Sequence, residues 1–220
     1  MMRKTVCTFA LVLVTLASSA AAQDDDWRHR WFWGAQGGIM QFKTASATTP
    51  TSGWQNAITV GGHWLITSTH SALYAAFDHV IFDTTFAAVQ ESQTTFRDIQ
   101  FSSGRRIQAL LYVFPSGGYI QPYFGGGFGI NQLTDAFPTG VFNTPQEQEN
   151  MLRIVEETST KAFPIFSGGL QLRFGRLALF GQAQYMPMGR NYLISSAQYV
   201  GSVGLRYSVT GSREEVTTRR

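Results

Sequence analysis

The stretch YIQPYFGGGFGIN (residues 119–131) decides between two very different proteins. Its glycines, Gly125, Gly126, Gly127 and Gly129, could belong to a phosphate-cradling loop or to a strand whose side chains had to be small. A dinucleotide-binding fingerprint needs Gly-x-Gly-x-x-Gly between a strand and a helix. Here position 130 is Ile and no helical pattern follows. Instead Ile120, Pro122, Phe124, Phe128 and Ile130 alternate with Gln121, Tyr123, Gly125, Gly127, Gly129 and Asn131. A period of two is a strand with one apolar face and one polar or small face. A strand glycine marks a bend or a close approach by another group. In a narrow barrel, Gly125, Gly127 and Gly129 would leave room for Tyr123, Arg106 or Arg173.

The same period recurs along the chain. In SAQYVGSVGLRYSV (196–209), Tyr199, Gly201, Val203, Leu205, Tyr207 and Val209 oppose Gln198, Ser202, Gly204, Arg206 and Ser208. After Trp54, the residues Ile58, Val60, Trp64 and Ile66 oppose Gln55, Thr59, His63 and Thr67. In 161–174, Pro164, Phe166, Leu170, Leu172 and Phe174 oppose Ser167, Gln171 and Arg173. Eight segments result: 31–43, 54–67, 72–83, 99–114, 119–133, 161–174, 177–189 and 196–209. Each reaches the ~9–11 residues that a tilted strand needs to cross a bilayer. Short connections at 68–71, 115–118 and 175–176 alternate with longer ones at 44–53, 84–98, 134–160 and 190–195. Alternating short and long connections are the pattern of an outer-membrane barrel. Trp31, Trp33 and Trp54 fall near one interface or the other. Trp64, Tyr112, Phe114, Tyr119 and Phe174 gather near the short turns, as an aromatic girdle would.

The ends and the composition agree with this. Arg3 and Lys4, an apolar run from Val6 to Leu16 and Ala20-Ala21-Ala22 read as a secretory signal peptide over 1–22, cleaved after Ala22. Cys7, the single cysteine, lies inside it, so the mature chain offers no disulfide, thiolate or cysteine metal site. Removing Arg3 and Lys4 lowers the formal charge from +3 to +1, and no basic, aromatic-interleaved patch for nucleic acid stands out. Charged residues are 14% of the chain, against ~25% in typical soluble domains. No later apolar run approaches the ~18 residues of a membrane-spanning helix. For a secreted, charge-poor, aromatic-rich chain the remaining spanning structure is a closed barrel.

These residues resemble the small eight-stranded outer-membrane barrels of the OmpA/OmpX-like superfamily, over the mature chain to about Val209. The last strand of that family carries an assembly signal, matched here by Ser202, Gly204, Tyr207 and Val209. The chain departs from the family in running on after the last strand. The resemblance implies an all-β, eight-stranded antiparallel up-and-down transmembrane barrel with short periplasmic turns and longer external loops. Residues 23–30 would be a periplasmic N-terminal segment, 31–209 the barrel and 210–220 a polar periplasmic tail. The implied partners are outer-membrane lipid, lipopolysaccharide and the barrel insertion machinery, with an unknown surface partner.

Lumen polar groups are expected at Asp78, Arg106, Arg173 and Arg206, with Asp78 paired to one of the arginines, because a lone buried charge is costly. Arg97, Arg105 and Arg190 near the external end are candidate lipopolysaccharide contacts. In the longest connection, Thr144-Pro145-Gln146-Glu147 reads as a capping box that opens a helix over about 145–157. Its apolar stripe, Met151, Leu152, Ile154 and Val155, is a candidate external partner surface. His29, His63, His70 and His79 are scattered and suggest no metal set, cofactor or catalytic pair, although His70 adjoins Ser71 and His79 adjoins Asp78. The expected role is envelope structure, surface interaction or lipopolysaccharide contact. The rivals are a narrow channel for ions or small apolar solutes, a lipid A-modifying barrel enzyme and a secreted lipocalin-like binder.

Overall fold

Period-two alternation becomes nine strands and one helix in a computed structural model that describes residues 27–44, 53–91, 95–187, 192–194 and 196–209. The strands are β1 (Trp31–Phe42), β2 (Gln55–Thr67), β3 (Ser71–Gln90), β4 (Phe96–Val113), β5 (Ile120–Thr134), β6 (Phe137–Pro138), β7 (Thr160–Phe174), β8 (Leu177–Met186) and β9 (Gln198–Ser208). Helix α1 spans Pro145–Ser159. Eight long strands pair antiparallel in the order β3-β2-β1-β9-β8-β7-β5-β4, and β4 pairs back onto β3. The sheet is therefore a closed barrel with every long strand flanked on both sides. Residues 1–22 and 210–220, expected as signal peptide and tail, lie outside the described residues.

The alternation sets which way each side chain points. Trp33, Ile58, Phe77, Leu111, Phe128, Leu170 and Val203 stand outward, with Phe128 71% and Val203 66% exposed. Outward positions stay largely apolar over roughly ten residues per strand, about 25 Å of height at ~3.3 Å per residue and ~40° tilt. That is a bilayer-matched belt. Trp33 and Trp64 meet edge to face at 4.5 Å near the short turns, and Tyr119 meets Phe174 at 5.0 Å. Tyr112 and Phe114, expected in this girdle, are buried in the lumen instead. They follow the inward phase of β4, set by Gln108 and Leu110.

Most of the stretch expected as the loop 84–98 is strand. β3 runs on to Gln90 and β4 begins at Phe96, with a register break between Ile81 and Thr85. There the Asp83 carboxylate accepts a hydrogen bond from its neighbour Thr84 N (2.9 Å). Above this bulge β4 also pairs with β6, through Ile99↔Pro138 and Gln100↔Phe137. The bulge shifts the alternation, so a single period could not be followed through it. The other strand limits differ from expectation by a few residues.

Glycine answers a packing need inside the barrel. A Cβ on Gly127 would collide with the Ala109 carbonyl and come within 2.7 Å of Leu110 Cα. One on Gly125 would strike the Leu111 carbonyl and approach Tyr112 Cδ1 to 2.8 Å, and one on Gly129 would sit 2.6 Å from Ile165 Cδ1. Tyr112 and Ile165 thus fill the room expected for arginines, while Tyr123 lies over Gly169 at 2.8 Å. Gly127→Leu should stop the β4–β5 pairing from closing. The expected result is loss of the folded, heat-modifiable gel band, and an undiminished folded fraction would refute it.

Candidate functional site

Above a vestibule at the lower mouth, side chains pack the lumen in three layers. At its centre lies the ion pair of Asp78 (β3) and Arg106 (β4), Oδ2 to Nη2 at 2.6 Å, both side chains about 1% exposed. Asp78↔Arg106 is a registered cross-strand pair, so the two groups meet without reaching. Arg106 Nε also donates to Asp78 Oδ2 at 3.1 Å. Gln36 Nε2 donates to Asp78 Oδ1 at 2.6 Å, and Gln108 Nε2 to Oδ2 at 2.8 Å. Around this core Tyr74 OH donates to Gln36 Oε1 (2.7 Å), and Gln184 Nε2 donates to Gln108 Oε1 (3.0 Å). Tyr112 and Tyr123 both donate to Gln182 Oε1, at 3.2 and 3.3 Å.

Below this layer, toward the short turns, sits Arg206 of β9, fully buried. Its Nη1 donates to Gln171 Oε1 (2.7 Å) and its Nε to His63 Nε2 (3.2 Å). Its guanidinium lies 3.9 Å from the Phe180 ring centroid and 5.4 Å from that of Tyr123. Quadrupoles of these rings offset part of the cost of taking the cation out of water. Phe180 fits because Gly204 has no side chain: a Cβ there would come within 2.7 Å of its ring. Below Arg206, Gln171 Nε2 donates to Gln121 Oε1 (2.7 Å).

Residues 27–30, the described part of the stretch 23–30 expected as a periplasmic N-terminal segment, cover the lower mouth. Trp27 is buried, stacks on Phe32 at 4.5 Å and donates Nε1 to Gly175 O at 2.9 Å. Thr67 Oγ1 donates to Trp27 O (2.6 Å) and accepts from Arg30 N (3.0 Å). Arg173, expected in the lumen network, lies here, its guanidinium 4.5 Å from the Trp27 ring centroid. Trp27, Arg173 and Gln121 line a vestibule of about 380 Å³.

The upper layer is apolar, which the polar-lumen expectation missed. Met40, Phe42, Phe82, Phe101 and Leu133 are buried inside the external half. Phe82 meets Phe42 at 5.3 Å and Phe101 at 5.1 Å, both edge to face. Met151 and Val155 of α1 pack into the same cluster, with Ile154 at its margin. The helix begins as its capping residues require: Thr144 Oγ1 accepts from Glu147 N (3.2 Å), and Glu147 Oε2 accepts from Asn143 N (3.0 Å). Of the stripe expected as a partner surface, only Leu152 remains exposed. The others turn inward because the barrel supplies an apolar mouth to cover.

The arginines of the external end divide likewise. Arg97 Nη2 pairs with Glu91 at 2.7 Å, its Nη1 donates to Thr139 O (2.9 Å), and it stacks over Phe142 at 4.2 Å. It holds the external loops together rather than facing lipid. Arg105 is exposed on the outer face, opposite His79 in register. Arg190 lies outside the described residues. Of the histidines, His63 is held by Arg206, His70 lies in a short turn and His79 faces outward. The described residues hold no group of three or more His, Cys, Asp or Glu placed to bind a metal ion. In the assembly-signal strand, Ser202 and Gly204 face the lumen, while Tyr207 and Val209 face outward.

An eight-stranded closed barrel with a bilayer-high apolar belt and a packed lumen is the architecture of small transmembrane barrels. Neisserial surface protein A shares it: TM-score 0.54 at 12% identity, covering 80% of this chain and 96% of that one. The outer-membrane protein OprG of Pseudomonas aeruginosa aligns at TM-score 0.45 and 12% identity, over 84% of this chain and 98% of that one. The N-terminal barrel domain of P. aeruginosa OprF aligns at 0.42 and 10%, over 82% and 98%. At such identities the likeness is one of fold. No family model and no curated sequence matches the chain.

Removing one partner of the central ion pair strands a buried charge. Asp78→Ala should lower unfolding stability by about 3–5 kcal/mol, and Asp78→Leu with Arg106→Met should recover much of it. Urea titration of the folded band checks this. A double variant as weak as the single one would show that the pair itself supplies the stability.

Proposed function

We propose that this chain is an integral outer-membrane protein that acts through its external face and its lipid contacts, not through its lumen. Its role is envelope structure, surface interaction or lipopolysaccharide contact. The observation that carries this is the stack inside the barrel: vestibule, Arg206 layer, Asp78–Arg106 layer and an apolar plug under α1. Eight strands leave an interior just wide enough for side chains, and these side chains fill it. The outward belt supports membrane insertion and argues against a soluble binder, whose outer face would be polar. Arg105, exposed at the external edge of the belt, remains a candidate for lipid phosphates.

The channel reading keeps one specific support: polar groups run in near-continuous contact from Gln121 up to Asn131, whose Nδ2 donates to Gln198 Oε1 at 2.8 Å. The apolar plug above interrupts that route. Catalysis on lipid A would need a nucleophile and base in reach of each other, and His70, the histidine next to a serine, lies at the end remote from the outer leaflet. Fractionation and gel electrophoresis with and without boiling test the proposal. The chain should appear in outer membranes as a urea-resistant, heat-modifiable band, and planar bilayers containing it should stay silent. A soluble periplasmic protein would overturn the membrane reading, and discrete conductance steps would replace the closed lumen with a channel.

A further inference from the structure

Glycines on the outside of this barrel follow a different rule from those inside. Inward Gly34, Gly38, Gly61, Gly125, Gly127, Gly169 and Gly204 have no room for a Cβ. Outward Gly37, Gly62, Gly168, Gly181 and Gly201 do; Gly37, Gly181 and Gly201 lie together. A Cβ on Gly37 would meet its nearest neighbour, Thr59 O, at 3.7 Å, one on Gly181 would lie 3.9 Å from Val203 Cγ1, and one on Gly201 would touch nothing within 4 Å. Fold packing therefore does not account for these three. They are also neighbours. In register, Gly37, Val203 and Gly181 form one row across β1, β9 and β8, and Ile39, Gly201 and Ala183 form the next. The bare positions leave a groove of about 680 Å³ on the lipid-facing surface, between the side chains of Ile39, Val203 and Tyr199.

The external end of that groove is polar and cationic. The next row is Gln41, Tyr199 and Tyr185. Tyr199 lies 5.3 Å from Tyr185 and 5.6 Å from Trp54. Lys43 places its ammonium 4.6 Å from the Trp54 ring centroid. An apolar slot therefore leads, at the height of the outer interface, to an aromatic shelf and a cation. A second groove, over Ala109, Gly126 and Pro164, lacks this logic. Its glycine is explained by backbone proximity, since a Cβ on Gly126 would sit 3.2 Å from Ile165 O.

We infer that the β8–β9–β1 groove is a binding site for one lipid A molecule, with an acyl chain in the slot and a glucosamine phosphate on Lys43 and Gln41. This rests on the outer-membrane reading above and adds the place and the headgroup chemistry. The anionic phosphate complements the lysine, the acyl chain complements the slot, and the shelf of Trp54 and Tyr199 suits the boundary between them.

The test is native mass spectrometry of the purified, folded barrel in mild detergent, titrated with bis-phosphorylated lipid A and with its dephosphorylated form. Lys43→Ala and Gly201→Leu should each weaken binding of the phosphorylated lipid by about tenfold or more. Ala109→Leu, in the other groove, should leave it unchanged. Wild-type protein should prefer the phosphorylated form by a similar factor. Equal binding of both forms, or undiminished binding by Gly201→Leu, would overturn the site. The heat-modifiable band of each variant shows separately that the barrel folds, and outer-membrane fractionation speaks to the underlying reading alone. A correctly located wild-type barrel with no specific lipid A binding would therefore defeat this inference and leave the other intact.

Discussion

The narrowness of an eight-stranded lumen governs the rest of this structure. The interior is only as wide as the side chains that fill it, so each inward position is a volume to be shared. Where Tyr112, Tyr123 or Phe180 enters, a glycine faces it. Where Asp78 and Arg106 enter, Gln36 and Gln108 take up the remaining carboxylate lone pairs. Arg206 is accommodated by an amide, an imidazole and the ring faces of Tyr74, Tyr123 and Phe180. A polar group left alone in such a space would carry its full desolvation cost, and the layers are stacked so that most groups meet a partner.

That constraint separates the two ends of the barrel by chemistry. The half near the short turns is held by hydrogen bonds and is closed by Trp27. The external half is held by dispersion and burial, with Phe42, Phe82 and Phe101 edge to face and α1 as a cover. The apolar cluster above Asn131 and Gln198 offers water few partners in its path. It also anchors the longest external excursion, because burying Met151 and Val155 fixes a helix that would be marginal alone at this length.

Much of this was legible in the chain. Strand faces such as Ile58, Val60, Trp64 and Ile66 against Thr59, His63 and Thr67 follow from period two alone. Asp78 pairing with an arginine follows from the cost of an isolated buried charge, and the helix start from Thr144 and Glu147. What escaped has physical causes. Phe82 and Phe101 are apolar residues in the inward phase, and a two-face reading assigns apolar residues to lipid. Tyr112 and Phe114 are interface-type residues, but they continue the inward phase of Gln108 and Leu110, while Leu111 and Val113 take the outward one. Arg97 and Arg173 were drawn away by Phe142 and Trp27, aromatic partners distant in sequence and invisible to local pattern. The outward glycines looked like the inward ones until the space around each was known.

The break in register between Ile81 and Thr85 carries a consequence for how the protein can change. Below it, β3 and β4 are locked into the closed cylinder, where a slip of one residue would turn every side chain to the wrong face. Above it, the two strands keep a separate alignment with each other and with β6. Residues gained or lost in that upper ribbon need not be transmitted to the pairing of Asp78 with Arg106. The bulge acts as a joint between a part whose spacing is fixed and a part whose length is free to vary. The exterior of the molecule can be rebuilt while its membrane portion keeps the same count.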